Sequence, residues 1–293
     1  MLRAVCLVPA LLVPAPATAE PIPPAVAAMI DAAEPDQLAA IANIARKTNP
    51  ASAAEIDARV AGIQAAAAAA RDARLAAQGI FEGWRGQGEA GGFVSTGNTE
   101  NRGAAVGLAM TKESRKWKHG LRGVVDYQED RGVASRERFF AGYEGNWKFS
   151  PRGYTLLALS WERDKFTGFT SRLTQSLGFG YRLVDGKRLK MTIDGGPAVR
   201  QTRFITGLLD NSVAARAGLN TNWPIHDALK FTQTATYYYD ESNNSLLVLS
   251  QLTARINRQL STRVSFQYNN EANPPPGRQN SDTVSRVTLV YTF

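Results

Sequence analysis

Two histidines, His119 and His226, and one cysteine, Cys6, are the only side chains in this 293-residue chain suited to nucleophile–base pairing or soft-metal binding. Serine hydrolysis of a lipid needs a base in reach of the nucleophile and a third group that orients the base. His119 lies near one end of an alternating segment and His226 in a turn-like stretch after Pro224, so neither stands where such a dyad would meet outer-leaflet lipid. Neither has a ligand partner at i+4 or a similar spacing, so a metal site lacks its donor set. No glycine loop suits a phosphate. Gly103, Gly107, Gly120, Gly123, Gly142 and Gly145 are scattered through extended segments, where they ease curvature or close packing. We therefore expect no enzyme, no cofactor and no metal.

Charge remains. The chain carries 34 Lys and Arg against 26 Asp and Glu, a net +8. A basic balance suits anionic partners, whether nucleic acid, anionic lipid or anionic solutes. One cysteine excludes a disulfide framework. Runs of apolar residues long enough for a spanning helix are missing, because Pro9, Pro14 and Pro16 break the most apolar stretch.

The elements that must carry these charges fall into three zones. Residues 1–19 have a basic start at Arg3, a short apolar middle and the small-residue end Ala17-Thr18-Ala19, the pattern of a cleaved signal peptide that would take Cys6 with it. Residues 20–83 are rich in alanine, the strongest helix former, and net −3. Pro35 and Pro50 divide them, and Ser52-x-x-Glu55 reads as a capping box opening the longest helix. In that helix Ile56, Val60, Ile63, Ala67 and Ala70 form a short apolar seam suited to docking. Residues 84–293 carry +10, and there a period of two replaces helical spacing.

Residues 116–128 show the period plainly. Trp117, Leu121, Val125 and Tyr127 alternate with Lys118, Arg122, Asp126 and Gln128. Similar segments occupy about 88–96, 101–112, 116–128, 136–148, 154–166, 170–183, 188–201, 210–222, 228–240, 245–257, 262–271 and 282–293. Aromatics gather at the segment ends, as interfacial girdles do, and the segments are long enough to cross a bilayer at a tilt. In lipid such a sheet must close, because every backbone amide needs a partner. The expected fold is all-β: a closed antiparallel transmembrane barrel of about twelve strands, preceded by a short Ala-rich helical segment. The connections at 113–115, 149–153, 184–187 and 258–261 are mostly tight and assigned to the periplasm; 222–227 belongs with them but is less tight. Those at 129–135, 202–209 and 269–281 are longer and assigned to the cell exterior.

The alternation sends one set of charges inward. Lys118, Arg122, Arg136, Arg138, Arg172, Arg182, Lys190, Arg200, Arg216, Lys230, Arg255, Arg263 and Arg286 face the lumen with Asp126, Glu144, Glu162, Asp164, Asp194 and Asp240, thirteen against six. An excess of +7 suits a narrow anion-favouring pore. Pairing of opposite charges on neighbouring strands would instead make a plug. Both readings stay open. At the end of the chain Val287, Leu289, Tyr291 and Phe293 alternate outward and finish on an aromatic, like the signal read by the barrel-assembly machinery.

The segment Gly91-Gly92-Phe93-Val94-Ser95-Thr96-Gly97-Asn98-Thr99 resembles the start of the salt-induced outer-membrane proteins, a family classed as a domain of unknown function. Trp117, Asp126-Tyr127, Arg138, Glu162-Arg163-Asp164-Lys165-Phe166, Gly178-Phe179-Gly180-Tyr181-Arg182 and Asp194-Gly195-Gly196-Pro197 extend the resemblance over about 84–293. It implies an outer-membrane barrel with a part in salt or osmotic stress, and it supplies no catalytic residues. The expected protein is a monomer in the outer membrane with its helical segment in the periplasm. Its partners are lipid, lipopolysaccharide and the assembly machinery, and not nucleic acid. Envelope maintenance is the first expected role, a narrow anion channel the second and a lipid-modifying enzyme a distant third.

Overall fold

A computed structural model describes residues 20–96, 101–130, 133–241, 243–274 and 279–293. The signal-peptide reading of residues 1–19 and the Gly97-Asn98-Thr99 part of the family motif lie outside the described residues. The chain forms two compact units, divided after Ala77.

The first unit is helical: α1 (Pro24–Asp31), α2 (Leu38–Thr48), a 3-10 turn (Pro50–Ser52) and α3 (Ala53–Ala77). No described helix is long and apolar enough to cross a membrane. Ile22, Ile30, Leu38, Ala42, Ala45, Ile56 and Val60 make a small core. Two fully buried isoleucines, Ile30 and Ile56, each contribute about 2 kcal/mol to it. Arg59 donates to the Asp31 carboxylate and holds it below the usual carboxylate range. Two expectations need correction. Ser52 already lies in the 3-10 turn, and Glu55 accepts the backbone N–H of Ile22 at 3.0 Å, so Glu55 ties down the lead-in chain. The seam is also shorter than its spacing suggested. Ile56 and Val60 are buried and Ile63 packs against them, but Ala67 and Ala70 are exposed, because an alanine methyl offers little area to bury.

The second unit is a closed antiparallel barrel in which each strand pairs with its neighbours in sequence and the first strand pairs with the last. Its strands are β1 (Trp84–Thr96), β2 (Asn101–Glu113), β3 (Trp117–Asp130), β4 (Val133–Lys148), β5 (Gly153–Asp164) and β6 (Phe169–Asp185). They continue as β7 (Lys190–Phe204), β8 (Leu209–His226), β9 (Leu229–Asp240), β10 (Ser245–Arg255), β11 (Leu260–Glu271) and β12 (Ser281–Thr292). Closure runs from Gln87 opposite Thr292 to Thr96 opposite Thr283. Gly86 and Phe293 extend it by exchanging both backbone hydrogen bonds. The end holding Trp84 and Phe293 is called the termini end below, and the opposite one the loop end.

Strand lengths of 11 to 18 residues suit a tilted crossing of a hydrocarbon layer. The outer wall is apolar. Val106, Leu108, Leu121, Leu157, Leu177, Val213 and Leu289 point outward. Trp117, Trp147, Phe149, Trp223, Tyr291 and Phe293 crowd the termini end, and Tyr127, Trp161, Tyr237 and Tyr239 lie toward the loop end. Inward positions are polar or small, with apolar filling at Tyr154, Leu156, Val284 and Val290.

The connections differ from the expected long-and-short alternation. β3 runs to Asp130 and β4 begins at Val133, so most of the loop expected over 129–135 belongs to the two strands. β8 runs on to His226, past Pro224, with a bulge between Pro224 and His226, so the turn expected at 222–227 reduces to Asp227-Ala228. Proline is tolerated there because a bulge leaves the ladder locally unpaired. At the loop end Gly168 and Gly207 take φ +107° and +84°, values that L side chains resist, and this keeps the β5–β6 and β7–β8 turns short. The longest connection is the one between Glu271 and Ser281.

Candidate functional site: the charged lumen

The loop-end half of the lumen carries a buried charged network. Asp126 on β3 is fully buried, and its Oδ2 accepts Nη2 of Arg286 on β12 at 2.7 Å and Nη1 of Arg138 on β4 at 3.4 Å. Arg138 Nε donates to Glu162 on β5 at 2.5 Å, and Arg286 Nη1 to Gln267 on β11 at 3.1 Å. A continuous chain thus runs from β5 through β4 and β3 to β12 and β11. Asp126 is in register with Ala105 on β2 and Gly91 on β1, and Arg286 lies one inward position along, opposite Phe93. Arg136 and Asp164 are buried beside this group, giving three arginines and three carboxylates. Asp164 also accepts the backbone N–H groups of Phe166 and Thr167, at 3.1 and 3.2 Å, and so fixes the β5–β6 turn.

A second set spans the loop-end mouth. Arg172 on β6 donates to Glu271 at the end of β11 at 2.7 Å, across the barrel, and stacks over Phe169 at 4.1 Å. Asn243, from the β9–β10 turn, donates to Glu271 at 2.6 Å, and its carbonyl accepts Arg200 Nη1 at 3.1 Å. Arg200 also faces Asp240 at 3.5 Å. Arg200 and Asp240 are buried, whereas the Glu271 side chain keeps 25% of its surface exposed.

The termini-end half is different. Arg263 pairs with Glu89 at 2.6 Å and with Gln87 at 2.9 Å across β12, and Arg216 pairs with Asp194. Lys118 on β3 and Lys230 on β9 remain exposed and lie within electrostatic range of each other. Arg122 stands over Phe140 at 5.9 Å. Glu144 accepts Asn146 Nδ2 at 2.8 Å. Arg182 and Lys190 sit at the rim near Asp185, at 3.3 and 4.0 Å, and Arg255 is exposed at the end of β10. The lumen therefore holds paired arginines and carboxylates at the loop end and a basic vestibule at the termini end.

The alternation does not reveal every partner. Glu89 comes from a glycine-rich strand, Glu271 from a strand end and Asn243 from a turn, and only the closed register brings them to their arginines.

The histidines lie apart from this lumen. His119 faces outward, stacked on Trp117 at 5.7 Å, with Nδ1 2.9 Å from the Tyr143 hydroxyl. His226 Nδ1 lies 3.4 Å from the Ala228 amide, in the turn it flanks. Val287, Leu289, Tyr291 and Phe293 point outward, with the Tyr291 and Phe293 rings stacked at 6.4 Å.

A closed twelve-stranded barrel with an apolar outer belt and a charged lumen is a porin-like barrel. Within that class, the chain belongs to the family described as protein of unknown function, DUF481, whose model matches residues 88–293. It is 23% identical over 205 residues to the uncharacterized protein YdiY of Escherichia coli strain K12, covering 70% of this chain and 81% of that one. The NanC porin has the same fold, with a TM-score of 0.50 at 11% identity over 71% of this chain and 100% of that one. The KdgM porin is 12% identical with a TM-score of 0.43, over 70% and 99%.

Proposed function

We propose that this protein is an outer-membrane barrel that is closed at rest and contributes to envelope integrity under salt or osmotic stress. The observation that carries the closed state is the buried chain Arg286–Asp126–Arg138–Glu162 along the inner wall from β12 to β5, with Arg172–Glu271 crossing from β6 to β11. Salt screens buried pairs far less than exposed ones, so this closure would persist at high ionic strength. The outer-membrane location is supported by the apolar outer wall and the porin-like fold, and the stress setting by the resemblance of the 91–99 motif. In this reading the termini end and the helical unit face the periplasm, and the protein is a non-enzymatic monomer. The outward stacking of His119 supports the absence of a Ser–His site in the lumen.

A deletion strain tests the role. Leakage of a periplasmic marker after a salt upshift, restored by the wild-type gene, is the expected result. An envelope that stays intact in the deletion strain after the upshift would contradict the proposal.

One observation favours a second reading, a gated anion path. Lys118, Arg122 and Lys230 leave the termini-end vestibule positive, so a barrel whose network opened would draw anions from that side.

A further inference from the structure

Two grooves adjoin on the outer wall, and they differ in chemistry. The first, about 420 Å³, has a floor of Gly123 and Ala141, which sit directly opposite each other on β3 and β4. Leu108, Leu121, Tyr143 and Leu159 form its sides. It lies within the apolar belt, so its surroundings are hydrocarbon. The second, about 570 Å³, lies over β5 to β8 toward the loop end and shares Trp161 and Leu173 with the first. Its lining sets Trp161, Leu173 and Leu209 beside basic and polar residues, Arg163, Lys165, Arg203, Ser171, Gln201 and Asn211. Both volumes fall in the usual range for small-molecule sites, roughly 300–1,000 Å³.

The register explains the change in character. One transverse row runs Gly123, Ala141, Trp161, Leu173, Gln201, Asn211 over six adjacent strands, from small through apolar to amide. All of these positions face outward, by the same alternation that sends Arg138 and Asp126 inward. Trp161 stands at the junction, and its indole N–H donates to Ser171 Oγ at 3.1 Å. Of the three cations, Arg163 is shared with Glu137 at 3.3 Å. Arg203 and Lys165 face no carboxylate within ion-pair distance among the described residues. Unpaired outward cations beside an apolar groove at the edge of a hydrophobic belt have an obvious complement in a lipid with an anionic head.

We propose that this paired groove binds one phosphorylated glycolipid of the outer leaflet, with an acyl chain over Gly123 and Ala141 and its phosphates at Arg203 and Lys165. Charge complementarity selects phosphate, because guanidinium and ammonium groups make charge-assisted hydrogen bonds to it. The hydroxyl and amide groups of Ser171, Gln201 and Asn211 select a sugar headgroup, since their donors and acceptors match sugar hydroxyls. The leaflet rests on the orientation proposed above, with the loop end outside the cell.

The test is native mass spectrometry of the full chain purified in detergent, first shown to be folded by its heat-modifiable mobility on gels. The probes are bisphosphorylated lipid A, its dephosphorylated form and phosphatidylglycerol. One molecule of bisphosphorylated lipid A should bind in preference to the other two. The double variant Arg203→Gln, Lys165→Gln should weaken that binding roughly thirtyfold, at about fivefold per cation. The control Arg115→Gln, Lys116→Gln, at the opposite end, should leave it unchanged. Equal binding of lipid A to wild type and the Arg203–Lys165 variant would overturn the proposal. Phosphatidylglycerol binding as tightly would also overturn it, by reducing the site to a general anionic-lipid surface. Because the heat-shift is scored first, failure of the membrane-barrel reading and failure of the lipid site give different results.

Discussion

Arg286 on the last strand donates to Asp126 on the third at 2.7 Å, crossing the seam where the barrel closes. Arg263 does the same from the eleventh strand, reaching Glu89 on the first. Backbone pairing between β1 and β12 is thus backed on the inner side by two charged bridges. Both bridges tie together the two ends of the sheet.

Removing one partner should therefore cost stability. Arg286→Met leaves Asp126 buried with only the longer Arg138 contact, and should destabilise the barrel by about 3 kcal/mol. Adding Asp126→Asn should cost less than the two single changes summed. Urea midpoints of the detergent-folded barrel measure this coupling, and strict additivity would show that the two side chains do not depend on each other.

The mouth should respond separately. Glu271→Gln removes the charge that holds Arg172 across the barrel and anchors Asn243. Brief, noisy openings should appear in planar bilayers, with little change in unfolding midpoint. A quiet trace like that of the wild type would show that the deeper network closes the lumen alone.

The last residue should matter for assembly more than for stability. The Phe293 ring occupies the space beside Gly86, where an added Cβ would stand 2.2 Å from it. Phe293→Ala and Gly86→Val should each lower the heat-modifiable fraction in membranes severalfold. Refolding of purified Phe293→Ala protein in detergent should remain efficient, and failure there would shift the role of Phe293 from recognition to packing.

The helical unit should be dispensable for barrel formation. Its core draws only on residues 22–63, and the division falls after Ala77. A chain lacking residues 20–77, with residues 1–19 kept, should insert and show the same heat-shift. Loss of insertion would show that the helices are needed to build the barrel.

The barrel was legible in the sequence because lipid and lumen face opposite sides of every strand, so each segment carries its own period-two signature. Even the glycine- and alanine-rich β1 and β8 fall in their expected places. Turn lengths were less legible. Pro224 reads as a turn locally, yet a bulge absorbs it within β8. The pairing inside the lumen was hidden for a different reason. Arg172 and Glu271 are 99 residues apart and Arg286 and Asp126 are 160 apart, and only the closed register makes them neighbours. Parity tells which side chains turn inward, but not which ones meet.

Single-channel recording in planar bilayers tests the closed lumen most directly, comparing wild type with the Arg286→Met, Glu271→Gln double variant. The wild type should be nearly silent. The double variant should conduct with a preference for anions, and that preference should fall when Lys118→Glu is added at the vestibule. A large, steady conductance in the wild type, unchanged in the double variant, would contradict the account.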